Sequence, residues 1–359
     1  MREQYETVAL EQPREGVLQV TLNRPAFANA MNTQMGLDLL DIFTELFAKP
    51  ESYRAVVVTG AGERAFCAGG DLKERQGMTD DQWQAQHLIF ERMIRAILEC
   101  PMPVVAAVNG AAYAGGCEIA LGCDFIYAAR TARFALTEVT IGIMPGAGGT
   151  QTLPRAVGLR RAKEILLTGR PFTAEDAQQW DMVNRVCEPG SVVGEALETA
   201  ATIARNAPIS IRQAKRSMQY GINMSLADGM LFEIEAYNRM VPTEDRREGI
   251  ASFNEKRKPV FKGRLGARER ARSAVVAIEL SGWKALPILT DRSWKVRPPV
   301  IARHVGGAGR TLSLNAGRTP FRIARHEYAA RGFAFPAIAA LRSRRSRGRS
   351  KDCRERNRD

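Results

Sequence analysis

The stretch AAVNGAAYAGGCEIALGCD, residues 106–124, decides how this chain is read. The run VVAAV that enters it is continuous, apolar and of strand length, the pattern of a strand buried on both faces. A Gly/Ala loop follows, and CEIALG then turns helical at Gly115–Gly116. The first N–H groups of such a helix have no partner within it, and its dipole favours negative charge there. In principle this is an oxyanion site. It is not a phosphate P-loop, because no Gly-Lys-Ser/Thr follows, and the second glycine run, IMPGAGGT (143–150), also lacks the lysine.

Two carboxylates stand out on either side of this loop. Glu118 falls three residues into the helix opening at Gly115, and Glu138 ends the apolar segment FALTE (134–138). Taken singly, the first reads equally well as a first-turn glutamate complementing the dipole, and the second as a solvated charge at a strand end. Outward from them the chain alternates strand and helix. VLQVTL (17–22), AVVVTG (55–60), DFIYAA and RFALTE read as strands, and the spacing of Leu39, Leu40, Phe43 and Leu46 predicts a helix. Thr79 and Gln82 form a capping box before WQAQHLIFERMIRAI, which ends ahead of Pro101. Units of roughly 45 residues, each a strand plus a helix, imply an α/β fold with a parallel sheet and helical crossovers. After Gly158 the pattern is amphipathic helix throughout, with Thr173 capping one helix and only MVNRVCE reading as a strand.

Charge divides the chain. Residues 1–262 hold 29 Lys and Arg against 32 Asp and Glu, net −3, whereas 263–359 hold 23 against 7, net +16. The last 97 residues carry 20 arginines and 3 lysines with no sustained period and read as a disordered or non-native basic tail. The functional alternative is nucleic-acid binding through that tail, since dense arginine neutralises phosphates. The first sixteen residues lack an apolar h-region and no apolar run approaches membrane-spanning length, so neither secretion nor a membrane partner is expected, and reduced cysteines fit the cytoplasm. Cys67, Cys100, Cys117, Cys123, Cys187 and Cys353 show no CxxC spacing, and His87, His304 and His326 form no metal-like cluster with them, so no metal is expected. His87, among polar neighbours, reads as an ordinary helix-surface histidine.

AFCAGGDLKE (65–74), the stretch 106–124 and FALTEVTIGIMPGAGGTQTLPRAVG (134–158), with LNRP (22–25) and FNEKRK (253–258), together resemble the enoyl-CoA hydratase/isomerase family, the crotonases, over residues 5–262. The resemblance implies a spiral of ββα units as the core (1–195), a C-terminal helical region (196–262) that supports a trimer or dimer of trimers, and the tail (263–359) as an appendage. It implies chemistry on an acyl-CoA thioester with no cofactor, coenzyme A being part of the substrate.

By position it places the oxyanion hole on the backbone N–H of Gly70 and Gly115, and the two water-holding glutamates of the hydratase branch on Glu118 and Glu138. Glu118 is expected mainly to orient and deprotonate water and Glu138 to deliver a proton at Cα, as a coupled pair. Isomerases of the family usually keep fewer of these carboxylates, which favours a hydratase. The resemblance puts coenzyme A around Arg24, Ala68 and the turn Gly70, Asp71, Leu72, Lys73, with Phe253 and Lys256 reaching from the C-terminal helix of a neighbouring subunit. The acyl pocket is expected between Arg75 and Met93, with Trp83 and Phe90. DLKERQGM is also similar to the methylglutaconyl-CoA hydratase subgroup, so an isomerase and a branched-chain hydratase stay open as alternatives.

Overall fold

The structure, a computed structural model, describes residue 2 and residues 4–266. From residue 267 the basic tail expected at 263–359 lies outside the described residues. The chain runs β1 (Val8–Arg14), β2 (Val17–Leu22), α1 (Thr33–Ala48), β3 (Ala55–Gly60), β4 (Ala65–Cys67), α2 (Leu72–Arg75), α3 (Asp80–Leu98), β5 (Val104–Val108), β6 (Ala111–Tyr113), α4 (Gly115–Gly122), β7 (Phe125–Ala129) and β8 (Arg133–Ala135). It continues through α5 (Gly149–Val157), α6 (Leu159–Thr168), β9 (Phe172–Thr173), α7 (Ala174–Gln179), β10 (Arg185–Cys187), α8 (Val192–Ala204), α9 (Pro208–Gly221), α10 (Leu226–Asn238) and α11 (Glu244–Asn254).

Two sheets organise these elements. The larger has the order β1-β2-β3-β5-β7-β10, parallel except for the β1–β2 hairpin, and the smaller has the order β4-β6-β8-β9. From β3 to α5, each turn of the spiral sends one strand to the large sheet, the next to the small sheet, and then the chain into helix. The strand-plus-helix unit expected from periodicity is therefore one strand short. The missing strands β4 and β6 are three residues long, too short for an alternation to register. Where the chain swings from one sheet to the other the backbones nearly touch. A Cβ on Gly60 would lie 2.5 Å from the Phe66 carbonyl oxygen, and one on Gly110 2.6 Å from that of Arg64. β1 also escaped the sequence reading, because this edge strand buries little more than Val8.

The apolar runs behave as read. Every residue of β3 and β5 is buried, and α8 covers that sheet with Ala196, Leu197, Ala200 and Ala204 in the core. The expected boundary at 195/196 thus falls inside a core helix, and the outer helical layer begins after Ala204. α9 is tied back by Lys215, whose ammonium meets the Asp124 carboxylate at 2.6 Å and the Met102 carbonyl at 2.9 Å. The ordered body also runs past Lys262. Asp245 accepts from the amides of Lys262 and Gly263, Glu244 N–H donates to Arg264, and Gly266 N–H donates to Pro242.

Candidate active site

Parallel pairing in the small sheet gathers the site. Ala65 and Cys67 of β4 pair with Ala111 and Ala112 of β6, which pairs in turn with β8 through Ala112–Phe134 and Tyr113–Ala135. The segments that follow these three strands, 68–71, 114–118 and 136–138, therefore emerge at one edge, the carboxyl end where open α/β sheets bind ligands. They line a cavity of about 490 Å³.

The first two segments present free amides. Met31 N–H donates to Gly69 O and Asp71 N–H to Met31 O, which clamps the chain on both sides of Gly70. Among the described residues the Gly70 N–H has no acceptor, and neither has that of Gly115, the first residue of α4. The two loops are in contact, since a Cβ on Gly69 would lie 2.8 Å from that of Ala114 and 3.3 Å from the Gly115 nitrogen. Ala114 reaches this turn at φ 47° and ψ −123°, a strained pair for a residue with a side chain, and its N–H is held by Ala135 O at 2.8 Å. Helix α4 can sit this close to β4 only because residue 116 is glycine: a Cβ there would be 2.1 Å from Cys67 O.

Both glutamates face the cavity and both are buried, Glu118 at 3% and Glu138 at 6% exposure. The Glu118 Oε1 accepts from the amides of Ala147 at 2.9 Å and Gly149 at 2.8 Å. Burial raises its carboxyl from 4.5 to about 7. The Gly149 amide opposes that rise, repulsion from Glu138 adds to it, and the Ala147 amide again opposes it. Burial likewise raises Glu138, whose Oε2 has no hydrogen-bond partner. Glu138 does not end a strand as the sequence suggested. β8 stops at Ala135, and Glu138 opens a 3-10 turn that runs to Ile141. Buried repelling carboxylates share protons as a pair.

The residues expected around coenzyme A separate into two groups. Ala68, Gly70, Leu72 and Gly115 line the cavity, while Lys73 is exposed on α2. Arg24 is not a free cation. It pairs with the Asp71 carboxylate at 3.0 Å, donates to the Ala30 carbonyl and stacks 4.7 Å from the Phe27 ring centroid. Asp71 in turn caps α2 through the amides of Lys73 and Glu74. Burial would raise Asp71, but the Arg24 hydrogen bond and charge, with those two amides, outweigh it and leave the carboxyl below its ordinary value. Phe253, on α11, and Lys256, just beyond it, are exposed and do not line the cavity.

Further residues line the cavity beside the catalytic and coenzyme A groups. His87 is half-buried on the cavity wall instead of lying on an open helix surface. The loop at 143–150 folds over it, and a Cβ on Gly146 would meet its ring at 2.3 Å. Arg75 stands against the rings of Trp83 and Phe90, and these three residues expected at the acyl pocket all line the cavity. The amides of Ala147 and Gly149 hold Glu118, a role the glycine run IMPGAGGT signals only as a tight turn.

A family model described as enoyl-CoA hydratase/isomerase matches residues 12–264. The Bacillus subtilis protein YngF is 44% identical over 244 residues, 68% of this chain and 94% of YngF. The mitochondrial enoyl-CoA hydratase of Pongo abelii is 40% identical over 243 residues, 68% of this chain and 82% of its own length. The crystal structure of the enoyl-CoA hydratase from Bacillus anthracis superposes with a TM-score of 0.71 at 40% identity, covering 72% of this chain and all of that one. The two-sheet spiral is thus a crotonase-like α/β fold, and the chain belongs to the enoyl-CoA hydratase/isomerase family.

Proposed function

We propose that the cavity adds water reversibly across the 2,3 double bond of an enoyl-CoA thioester to give the 3-hydroxyacyl-CoA. One observation carries the reading: two buried carboxylates, Glu118 and Glu138, both raised by burial, share a cavity with the free amides of Gly70 and Gly115. Attack of water at C3 drives charge onto the thioester oxygen, where two prepositioned N–H donors, each worth about 3 kcal/mol, stabilise the enolate. Glu118, its ionised form held by two amides, takes the proton from water. Glu138, with one oxygen unpartnered, delivers the proton to C2. Coenzyme A enters as part of the substrate, along the loops at 24–30 and 68–73. The relatives named enoyl-CoA hydratase support this reading.

An isomerase, moving the double bond with one shuttling base, is the second reading, favoured by the unpartnered Oε2 of Glu138. The exposed apolar side chains of α9 to α11, among them Met218, Ile222, Leu226, Leu231 and Phe253, support assembly with further copies of the chain as a trimer or dimer of trimers. Within such an assembly Phe253 and Lys256 would serve a neighbour's site. No helix among the described residues is long and apolar enough to cross a membrane.

The test follows crotonyl-CoA by loss of its enone absorbance. Hydration that falls about 10²- to 10⁴-fold in both Glu118→Gln and Glu138→Gln is expected. Isomerisation of a 3-enoyl-CoA that survives one of these changes and not the other, without hydration, would replace the hydratase with the isomerase.

A further inference from the structure

The loop that clamps Glu118 has few bonds of its own. From Met144 to Ala147 the only backbone group hydrogen-bonded among the described residues is the Ala147 amide, and its acceptor is Glu118 itself. The Gly149 amide, at the start of α5, goes to the same oxygen. Met144 is exposed and anchors nothing, and glycines at 146, 148 and 149 leave the segment many conformations to lose on ordering. Such a clamp keeps its place only if packing fixes the loop from outside.

Helix α3 supplies that packing. A Cβ on Gly146 would lie 2.3 Å from Cε1, 2.9 Å from Nε2 and 3.3 Å from Nδ1 of His87, so the N–C–N edge of the imidazole rests on the Gly146 backbone. Two turns further along the same helix, Ile94 lies 3.5 Å from where a Cβ on Gly148 would stand. The helix itself is a firm base: its capping box closes the N-terminus, and Phe90, Met93, Ile94 and Ile97 are in the core. Neither ring nitrogen of His87 has a hydrogen-bond partner among the described residues, so the ring contributes its shape and place, with no relay to either carboxylate.

We infer that His87 is a positioning residue for the reaction: its ring is the wedge that keeps the Ala147 and Gly149 amides on Glu118. This rests on the reading of Glu118 as the group that takes the proton from water. The test is Gly146→Ala, which drives a methyl into the ring and must push the loop off the carboxylate. The charged and titratable groups that share the cavity with Glu118, namely Glu138, Arg75 and His87, all stay in place in this variant. With crotonyl-CoA, kcat should fall about 10-fold with KM changed by less than about 2-fold. Burial raises the Glu118 carboxyl and the two amides oppose the rise, so loosening them should also move the acid limb of the kcat profile to higher pH. His87→Ala makes room for the methyl, and adding it to Gly146→Ala should recover most of the kcat and return the limb towards its original place.

A second measurement needs no substrate. A carboxyl raised further above its unfolded value loses more stability as pH rises, so the melting deficit of Gly146→Ala should widen between pH 5 and pH 8. Combined with Glu118→Gln, which leaves nothing to titrate at that position, the deficit should stay level with pH. The inference is overturned if Gly146→Ala costs the same with and without the ring, or if its deficit does not widen with pH. A rise in KM alone, with kcat and the acid limb unmoved, would mean that the ring swings into the acyl space instead of holding the loop, and overturns it too. Should Gly146→Ala fail to fold, His87→Ala alone must lower kcat about 3-fold and move the limb the same way; a parental profile there refutes the wedge. A deficit that widens as expected in a protein whose parent hydrates no enoyl-CoA would sink the hydratase reading and leave this one standing.

Discussion

Glu118→Gln should make the protein inactive and more stable at once, and the gain should grow with pH. The side chain is nearly closed off from water, and burial raises its carboxyl from 4.5 to about 7. Between those values the folded protein holds a proton that the unfolded chain has released. Stability that is fully present below pH 4.5 is therefore lost progressively as pH rises through 7. At about 1.4 kcal/mol per pH unit, the whole cost of keeping an ionisable group at this position is about 3.5 kcal/mol, of which about 2 to 3 kcal/mol accrues between pH 5 and 8. Glutamine keeps the oxygen that accepts from Ala147 and Gly149 and has nothing to titrate, so the variant lacks that slope. It also relieves Glu138 of a like charge, which acts in the same direction.

Thermal unfolding of the two proteins side by side measures the effect. At about 2 to 4 °C per kcal/mol for a body of this size, the melting temperature of Glu118→Gln should rise relative to the parent by about 5 to 10 °C between pH 5 and pH 8. Hydration should fall about 10²- to 10⁴-fold over the same range. A difference that stays flat with pH, or one that shrinks as pH rises, would falsify the claim that Glu118 is a strained, proton-retaining group whose ionisation the fold tolerates for catalysis.

Gly149→Ala places a Cβ 3.0 Å from Glu118 Oε1 and from the Pro145 ring, so these neighbours must give by a few tenths of an ångström; kcat should drop by about 10-fold, less than a full ångström's misplacement would cost, while circular dichroism stays native. Lys215→Met leaves Asp124 and the Met102 carbonyl without their buried partner and should cost roughly 3 kcal/mol in denaturant titrations, part of which Lys215→Met combined with Asp124→Asn should recover. A chain cut after Gly266 should melt like the full-length protein. One cut after Lys262 loses the bonds from Gly263 to Asp245, from Glu244 to Arg264 and from Gly266 to Pro242, and should melt several degrees lower.

What the sequence discloses here is whatever the chain does over a few residues. VVAAV and AVVVTG announce buried strands because their side chains are apolar but for Thr59, whose hydroxyl donates to the Ala107 carbonyl, and both are buried throughout. Thr79 with Gln82 announces a helix start because each satisfies the other's backbone within one turn, and the capping box forms, as does the cap on Thr173. Strands β4 and β6 have no such signature, since three residues are too few to show an alternation and their partners lie some 45 residues away in the chain.

The site is harder to read for the same reason. Glu118 and Glu138 each have an ordinary explanation alone. Only the resemblance joined them in the sequence, whereas in the fold they are joined by β6 pairing with β8. Arg24 looks like a free cation until a residue 47 positions away, Asp71, claims it. The clamp on Glu118 is made of backbone, from Ala147 and Gly149, so no side-chain type could have marked it. A catalytic carboxylate in such a place depends on the close approach of two chain segments more than on its own identity. That is why the glycine at 149, with no chemistry of its own, should still lose activity on substitution, though less than the glutamate it faces.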